Sequence, residues 1–407
     1  MLTLRIAFRN ILRHKSRSVL CGLSMMGCYI LFSISLGFSD GSYGNLIRML
    51  TDTQSGHVQI HRQGYLESPS LFRNFELTAE SENMLEKHSG IVAWTPRVFS
   101  AALVFKENKS TIARLIAIDP EKEEQVTTMR EKVSDGVYLS DADKVVNPII
   151  MGTHLQKILQ VNTGDEVIFI GQGADGSIAN DLFTIVGIAG KDSEDSDASK
   201  IYMTLADAQE FLSLGNRIHE VSIRLANYKA ARAQAELLQN RLNYDHLDVQ
   251  PWQVVEEQFY KAMTADQQGN WITQAVIMLI VGLVVLITVL MNAYERRHEF
   301  GLLLALGTSP IFIFRSMIAE MALLSGLSVF TGLFFSSGLN LYFAENGIAI
   351  EPPMEYGGVI FSDIISEVSL FVLFVPAVFV IGVAVLVAFF PAIKSAMAVP
   401  VEAMRDN

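Results

Sequence analysis

Four long apolar stretches constrain this chain more than any other feature of its sequence. They cover residues 18–39, 271–294, 311–344 and 368–393, and the third has an acid, Glu320, near its start. A helix needs ~20 apolar residues to cross a bilayer, and a helix satisfies its own backbone hydrogen bonds there. The sequence therefore predicts four transmembrane helices, the fourth of which tolerates Pro376 in its interior.

The composition indicates a second, water-exposed part. Half of the 407 residues are hydrophobic and the mean hydropathy is +0.31, which is too apolar for an ordinary soluble enzyme. The 18% of charged residues is in turn too high for a protein confined to the membrane. The net charge of -12 argues against nucleic-acid binding, and Cys21 and Cys28 form no redox motif.

Lysine and arginine in the short flanks predict the orientation of the chain, because cytoplasmic flanks are enriched in them. Five bases and no acid precede the first stretch: Arg5, Arg9, Arg13, Lys15 and Arg17. The loop 345–367 has five acids and no base. We therefore expect cytoplasmic termini and an external segment 40–270. A cleaved signal peptide is the alternative for the N-terminus, but no small-x-small cleavage site follows.

Segment 40–270 has the patterns of a mixed α/β domain. The runs "HVQIH", "ARLIAID", "DEVIFI" and "LFTIVGI" are typical of strands, and "ADAQEFLSL" and "KAARAQAELLQNRL" have helical spacing. The stretch "IMGTHLQKILQVNTGDEVIF" predicts a helix, a turn at 162–165 and a strand.

Three motifs in this segment suggest ligand sites but favour simpler interpretations. "GQGADG", residues 171–176, fits a dinucleotide fingerprint, yet a strand-like run follows it, so a hairpin tip is expected. His57 and His61 would share one face of a strand and could bind a metal ion. No third ligand is near in the sequence, so surface histidines are expected instead. "KDSEDSDASK", 191–200, lacks the glycine and final glutamate of an EF-hand and is expected to be a solvated loop.

The sequence contains no HExxH or GxxxxGK[ST] motif. We therefore expect a chain that is not an enzyme, binds no metal or cofactor of its own and does not hydrolyse ATP.

A short segment, "ERRHEFGLLLALGTSP", follows the second apolar stretch directly. It predicts a short amphipathic helix on which Leu302, Leu303, Leu306 and Ile311 share one face. We expect Gly301 and Gly307 to mark its ends and Pro310 to begin the next span. A helix lying in the lipid interface is the alternative interpretation.

This segment resembles the coupling helix of FtsX-like and MacB-like ABC transporter permeases, including the lipoprotein-releasing Lol-type permeases. The matching positions are Glu295, Arg296, Arg297, Glu299, Gly301, Leu303, Ala305, Leu306 and Gly307. Leu304 departs from the pattern, since the family usually has a basic residue there. Glu320 matches a glutamate that the family often has, and a snorkelling interfacial acid is the alternative for it.

Both ends of the chain extend the resemblance. The start is similar to the family's N-terminal amphipathic helix through Arg9, Asn10, Arg13, Lys15 and Arg17. The end is similar to its C-terminal signature through Pro391, Ala396, Pro400, Glu402, Ala403 and Arg405. The external segment matches more loosely, through "TPRV" and the block from "GTHLQKILQ" to "FTIVGI".

The resemblance implies an architecture with these boundaries: an amphipathic N-terminal helix 1–17, transmembrane helix 18–39, a MacB-like periplasmic α/β domain with helical stalk ends 40–270, transmembrane helix 271–294, coupling helix 295–310, transmembrane helix 311–344, periplasmic loop 345–367, transmembrane helix 368–393 and cytoplasmic tail 394–407.

The resemblance also implies a function. Such permeases lie in the bacterial inner membrane, pair with a second permease copy and bind separate ATPase subunits of the LolD or MacB type, which hold the ATP and Mg²⁺. Mechanotransmission then converts ATP hydrolysis into periplasmic work, here the release of lipoproteins or lipid-like cargo, with membrane lipids and a periplasmic carrier or adaptor as further partners. MacB-like efflux and FtsX-like regulation of a cell-wall hydrolase stay open as alternatives.

Overall fold

The computed structural model describes residues 2–13, 15–142, 144–190, 197–242, 246–295, 297–356 and 359–396. Its α-helices are α1 (Leu2–Arg13), α2 (Lys15–Leu50), α3 (Ala79–Lys87), α4 (Pro120–Val126), α5 (Thr153–Leu159), α6 (Leu205–Phe211), α7 (Ala231–Leu242), α8 (Trp252–Val255), α9 (Glu257–Glu295), α10 (Arg297–Ala305), α11 (Pro310–Asn346) and α12 (Leu370–Ala396). A π-helical turn, Thr51–Ser55, follows α2 directly.

The strands are β1 (Val58–Arg62), β2 (Phe75–Glu76), β3 (Ile91–Lys106), β4 (Lys109–Ile118), β5 (Val133–Gly136), β6 (Pro148–Gly152), β7 (Glu166–Gln172), β8 (Ile178–Ala189), β9 (Lys200–Thr204), β10 (Arg217–Ile218), β11 (Glu220–Leu225), β12 (Leu247–Pro251), β13 (Ile348–Tyr356) and β14 (Val359–Ile364). Strands β13 and β14 pair with each other within the stretch 345–367.

The chain divides into two compact units, and the membrane unit comprises Met1–Asn45, Met263–Pro353 and Ser362–Asn407. Among the residues that the structure describes, four helices are long and apolar enough to cross a bilayer: Ser18–Ser55, Glu257–Glu295, Pro310–Asn346 and Leu370–Lys394. The fold class predicted from the sequence, four membrane helices with a large α/β domain between the first two, is confirmed.

The membrane unit has an apolar core and an apolar outer surface. Tyr29, Phe32 and Val285 are almost fully buried in the core. Leu279 and Phe334, in contrast, are each 64% exposed. Large exposed apolar side chains are unfavourable in water but favourable against lipid tails, so this surface suits a bilayer.

A buried polar cluster also holds the membrane unit together. The hydroxyl of Ser336 donates to that of Ser33 at 2.6 Å, and Ser366 donates to the side-chain oxygen of Asn340 at 2.7 Å. Gly37 lies beside this cluster, because a Cβ there would come within 2.2 Å of the Asn340 oxygen. The glycine therefore permits the close approach of α2 and α11.

The second unit, Leu46–Ala262 with Met354–Phe361, is built on a mixed sheet. Its strand order is β12-β1-β11-β3-β4-β9-β6-β8-β5, and β7 pairs with both β3 and β8. The pairs β4–β9 and β6–β8 are parallel and the others are antiparallel. Buried side chains such as Ile118, Ile150 and Tyr202 form one core of this α/β domain.

The strands and helices predicted for this domain are confirmed, but several of its elements were not predicted, among them β3, β9, β11 and β12. The runs predicted as strands lie in β1, β4, β7 and β8, and the helical runs lie in α6 and α7. "GQGADG" leads into the tip of the β7–β8 hairpin, where the Gly173 amide donates to the Ser177 carbonyl at 2.9 Å. The sequence did not indicate β6, a buried strand directly before α5.

The prediction that His57 and His61 lie at the surface is wrong. Their exposed fractions are 5% and 1%. The His57 ring accepts the Leu225 amide at Nδ1 over 2.9 Å, and the His61 ring lies 3.2 Å from the Glu220 carboxylate. Each ring is thus buried against a polar partner, which is the condition under which buried histidines are stable.

Candidate functional site

Helix α10 ends at a well-defined turn that the sequence predicted. The Thr308 amide donates to the Leu303 carbonyl at 3.1 Å, and the Gly307 amide donates to the Leu304 carbonyl at 3.0 Å. These are the two hydrogen bonds of a Schellman motif, and Gly307 has the positive φ, 87°, that the motif needs. Pro310 then begins α11, as expected.

The prediction that Gly301 marks the start of this helix is wrong. Helix α10 begins at Arg297, so Gly301 lies in its interior and is buried. Ile311 belongs to α11, beyond the Schellman turn, and does not share a helical face with Leu303. The turn at Gly307 separates the two helices, which periodicity alone did not reveal.

Leu304 joins α10 to the membrane unit. Its side chain packs against a buried cluster of Ala293 from α9, Ile313 and Met317 from α11 and Ala392 from α12. Leu304 therefore packs against a cluster to which the ends of three membrane helices contribute. An apolar residue suits this position because a charge would be buried there without a partner.

The neighbouring leucines point away from the bundle. Leu302 is 50% exposed, Leu303 is 38% exposed and Leu306 is 76% exposed. Ala305 and Glu295 are exposed as well, and Glu299 is half-buried. A helix anchored on one side and apolar on the other has the form of a docking surface for a lipid or a protein.

The other predicted coupling residues fall at the edge of what the structure describes. Arg296 lies outside the described residues, and Arg297 is the first residue of α10.

The predicted residues at the membrane ends are placed as follows. Arg9 and Arg13 are exposed on α1 and Lys15 is exposed at the start of α2, while Asn10 and Arg17 lie within those helices. Glu320 is 2% exposed in α11. Pro391 is buried inside α12 and Ala396 is its last residue, whereas Pro400, Glu402, Ala403 and Arg405 lie outside the described residues.

The α/β domain contains a buried ion network centred on Arg97. Its guanidinium donates to both Glu123 oxygens, Nη2 to Oε1 at 2.7 Å and Nε to Oε2 at 3.1 Å. It also donates to Glu220 at 3.0 Å and to the Gln54 carbonyl at 2.6 Å. Arg97 therefore ties β3 to α4, to β11 and to the π-helical turn that follows α2.

Burial and pairing act in opposite directions on the pKa values of this network. Burial raises the pKa of the Glu220 carboxyl, but hydrogen bonds and charges from His61 and Arg97 outweigh burial and lower it. Burial lowers the pKa of Arg97, but Glu123 and Glu220 raise it above its ordinary value. Arg97 and Glu220 are therefore ionised at neutral pH.

A second buried ion cluster surrounds Asp197. Its carboxylate, which is fully buried, accepts hydrogen bonds from Lys132, from Lys200 at 2.8 Å and from the Tyr202 hydroxyl at 2.7 Å. Burial raises its pKa, but the two ammonium groups lower it to about 2. The prediction that 191–200 is a solvated loop is therefore wrong at its C-terminal end, because Asp197 is buried and forms ion pairs within the domain. Residues 191–196 lie outside the described residues.

The sequence around Arg97 contains an indication of a buried ion pair, which known motifs do not capture. The run "IVAWTPRVFSAALVF" is apolar over fifteen residues except for one arginine, two hydroxyl residues and a proline. A single charge within such a strand indicates a buried ion pair, but its partners Glu123 and Glu220 are distant in sequence. Among the described residues no cluster of three His, Cys, Asp or Glu has metal-binding geometry.

Four candidate membrane helices, an α/β domain between the first two and a short anchored helix between the second and third define the architecture of a multi-pass membrane protein. The C-terminal domain model of FtsX-like permeases matches residues 271–399. A curated relative, the lipoprotein-releasing system transmembrane protein LolC of Neisseria meningitidis serogroup B, is 21% identical over 398 residues, which cover 94% of this chain and 91% of the relative.

Several solved structures resemble part of the chain. The periplasmic region of MacB from Actinobacillus actinomycetemcomitans has a TM-score of 0.38 and 19% identity, covering 53% of this chain and 95% of that one. The extracellular domain of the ABC-type transporter YknZ from Gram-positive bacteria has a TM-score of 0.35 and 15% identity, covering 48% and 100%. Residues 271–399 therefore match the C-terminal domain of FtsX-like permeases, and the chain is similar to a lipoprotein-releasing transmembrane protein over nearly its whole length.

Proposed function

We propose that this permease couples ATP hydrolysis by separate LolD-like or MacB-like ATPase subunits to conformational work outside the membrane. The observation that carries this proposal is that the two sides of α10 have different surroundings. Leu304 packs against a cluster formed by three membrane helices, while Leu302, Leu303 and Leu306 are exposed. A partner that binds the exposed leucines would move Leu304, and through it the ends of α9, α11 and α12.

The work done outside the membrane is, in this proposal, the release of lipoproteins or lipid-like cargo. Support comes from the lipoprotein-releasing relative, which spans 94% of this chain. The chain itself is then a non-catalytic subunit that pairs with a second permease copy in the inner membrane. A periplasmic carrier or adaptor receives the cargo, and lipids surround the four spans.

The orientation in this proposal places both termini and α10 in the cytoplasm and the α/β domain in the periplasm. The five bases that precede the first span and the acidic, base-free segment 345–367 support it.

Copurification tests the coupling contact. Leu303→Asp puts a charge on the exposed face of α10 without touching the Leu304 cluster. We expect this variant to reach the membrane and to lose its ATPase subunits, since an uncompensated charge at an apolar interface weakens binding. Ile178→Asp is the matched control, because Ile178 is 81% exposed on the hairpin of the α/β domain. Full ATPase recovery with Leu303→Asp would contradict the proposal.

Mass spectrometry of the purified complex tests the cargo. The proposal expects bound lipoproteins or lipids together with an ATPase. A periplasmic adaptor with an outer-membrane channel would instead support efflux, and a cell-wall hydrolase would support a regulatory role.

A further inference from the structure

A groove with a volume of about 420 Å³ lies in the membrane unit, between α2 and α11. Its lining includes Leu23 and Met26 from α2, Leu324 and Leu327 from α11, and Ile11 from α1. Among the described residues that line it, none is acidic. Leu23 and Leu327 are each 53% exposed, so the groove opens on the outer surface of the unit, where a bilayer would surround it.

The hydroxyl groups on the α11 side of the groove are already paired. Ser328 donates to the Leu324 carbonyl at 2.7 Å, and Thr331 donates to the Leu327 carbonyl at 3.0 Å. Both hydrogen bonds stay within α11, so neither hydroxyl needs a ligand. The groove therefore suits an apolar occupant better than a polar one, because a polar group placed there would find no free partner on this side.

The length of the groove matches one leaflet of a bilayer. Its lining on α2 runs from Lys15 to Met26, a distance of ~16 Å along a helix axis. One half of the hydrocarbon core of a bilayer is ~15 Å thick. Beyond Met26 the two helices are in close contact, since a Cβ on Gly332 would lie 2.8 Å from the Tyr29 ring. The groove can therefore hold an acyl chain that belongs to a single leaflet.

The end of the groove at Lys15 is basic. Lys15 lines the groove, and its side chain is exposed. Arg9 and Arg13 are exposed on α1, the helix that also contributes Ile11 to the lining. The chain has no acid before Asp40, and neither acid of α11 lines the groove. This end therefore carries a positive charge, which attracts anionic lipid headgroups.

We propose that the groove binds one anionic phospholipid, with an acyl chain between α2 and α11 and the phosphate beside Lys15. In the orientation proposed above, this lipid belongs to the cytoplasmic leaflet. A zwitterionic phospholipid has the same chains without the net negative charge, so it binds less tightly.

Native mass spectrometry of the full-length chain in detergent micelles tests the site. The protein is first stripped of lipid and then mixed with equal amounts of phosphatidylglycerol and phosphatidylcholine that have identical acyl chains. We expect the first bound lipid to be phosphatidylglycerol, with an affinity at least about fivefold higher, because a base beside the headgroup favours the anionic lipid by about this factor.

One variant locates the headgroup. Lys15→Gln should reduce the preference for phosphatidylglycerol about fivefold, since it removes the base that lines the groove. Lys394→Gln is the matched control, because Lys394 is exposed near the end of α12 and does not line the groove. The control should leave the preference unchanged.

A second variant locates the acyl chain. A Cβ on Gly22 would make ordinary contact with the Ser328 hydroxyl at 3.4 Å, so the remaining carbons of Gly22→Leu would occupy the groove. This variant should weaken the first binding of phosphatidylglycerol at least about tenfold. Gly27→Leu is the control, because nothing lies within 4 Å of a Cβ there and Gly27 does not line the groove. Unchanged melting temperatures serve as the check on folding.

Three results would overturn the proposal. One is equal affinity for the two lipids, and another is a preference that Lys15→Gln leaves intact. The third concerns a second copy of the chain as the occupant, which oxidative cross-linking of Leu23→Cys in membranes detects. We expect monomers, as for the wild type, whose two cysteines are buried. A disulfide-linked dimer would assign the groove to a contact between two copies.

Discussion

Arg97 holds Glu123 through two side-by-side hydrogen bonds, Nη2 to Oε1 at 2.7 Å and Nε to Oε2 at 3.1 Å. The same guanidinium reaches Glu220 and the carbonyl of Gln54 in the π-helical turn after α2. One planar group therefore fixes four elements of the α/β domain. An ammonium group cannot reproduce this geometry, because it lacks the planar fork.

Arg97→Lys should destabilise the α/β domain by about 3 kcal/mol, because it leaves buried carboxylates incompletely paired. The shift of the urea midpoint, followed by the fluorescence of Trp94 and Trp252 in the full-length chain, measures the loss. Arg130→Lys is the control, since Arg130 also pairs with two acids but its side chain is 47% exposed. Equal midpoints for Arg97→Lys and Arg130→Lys would show that the buried network is not a major source of stability.

Asp197 gives the domain a defined acid sensitivity. Its pKa falls from 3.8 to about 2 on folding, because Lys200 and Lys132 outweigh burial. A carboxyl whose pKa is lowered by folding stabilises the native state above its unfolded pKa. That contribution, about 2 kcal/mol, is lost as the pH falls from ~4 to ~2.

Asp197→Asn should therefore lower the urea midpoint clearly at pH 6, and the difference from the wild type should shrink below pH 4. The exposed Asp181→Asn serves as the control and should change the midpoint little at either pH. A wild-type midpoint for Asp197→Asn at pH 6 would contradict the prediction.

The sequence was most informative where a pattern is local. The length of the apolar stretches predicts the membrane-spanning parts of α9 and α12, because a single segment in a bilayer must satisfy its own backbone hydrogen bonds and therefore forms a helix. The turn at Gly307 was likewise predictable, since its glycine satisfies a local backbone requirement.

The features that could not be predicted from the sequence depend on contacts between residues that are distant along the chain. Arg97, Glu123 and Glu220 are far apart along the chain, and no periodicity brings them together. His57 and His61 resemble surface histidines until their partners on the neighbouring strand are known. The inward packing of Leu304 could not be predicted either, because the cluster against which it packs is formed by residues of three separate helices.

Gly37 should not tolerate a side chain. A Cβ there would come within 2.2 Å of the Asn340 oxygen and 2.5 Å of the Ser366 hydroxyl, well below van der Waals contact. We expect Gly37→Ala to lower the thermal stability of the protein in detergent, because α2 must move away from α11 or break the polar cluster. Gly27→Ala, in the same helix, is the control: nothing lies within 4 Å of its Cβ. Equal melting temperatures for the two variants would refute this packing.

Cysteine labelling tests the orientation of the chain, because its two native cysteines are both buried and give a low background. Ser177→Cys places an exposed thiol at the β7–β8 hairpin tip, and Ser309→Cys places one in the turn between α10 and α11. A membrane-impermeant maleimide added to intact spheroplasts should label Ser177→Cys and should label Ser309→Cys only after lysis. The reverse pattern would place α10 outside the cell and remove the basis for its contact with an ATPase.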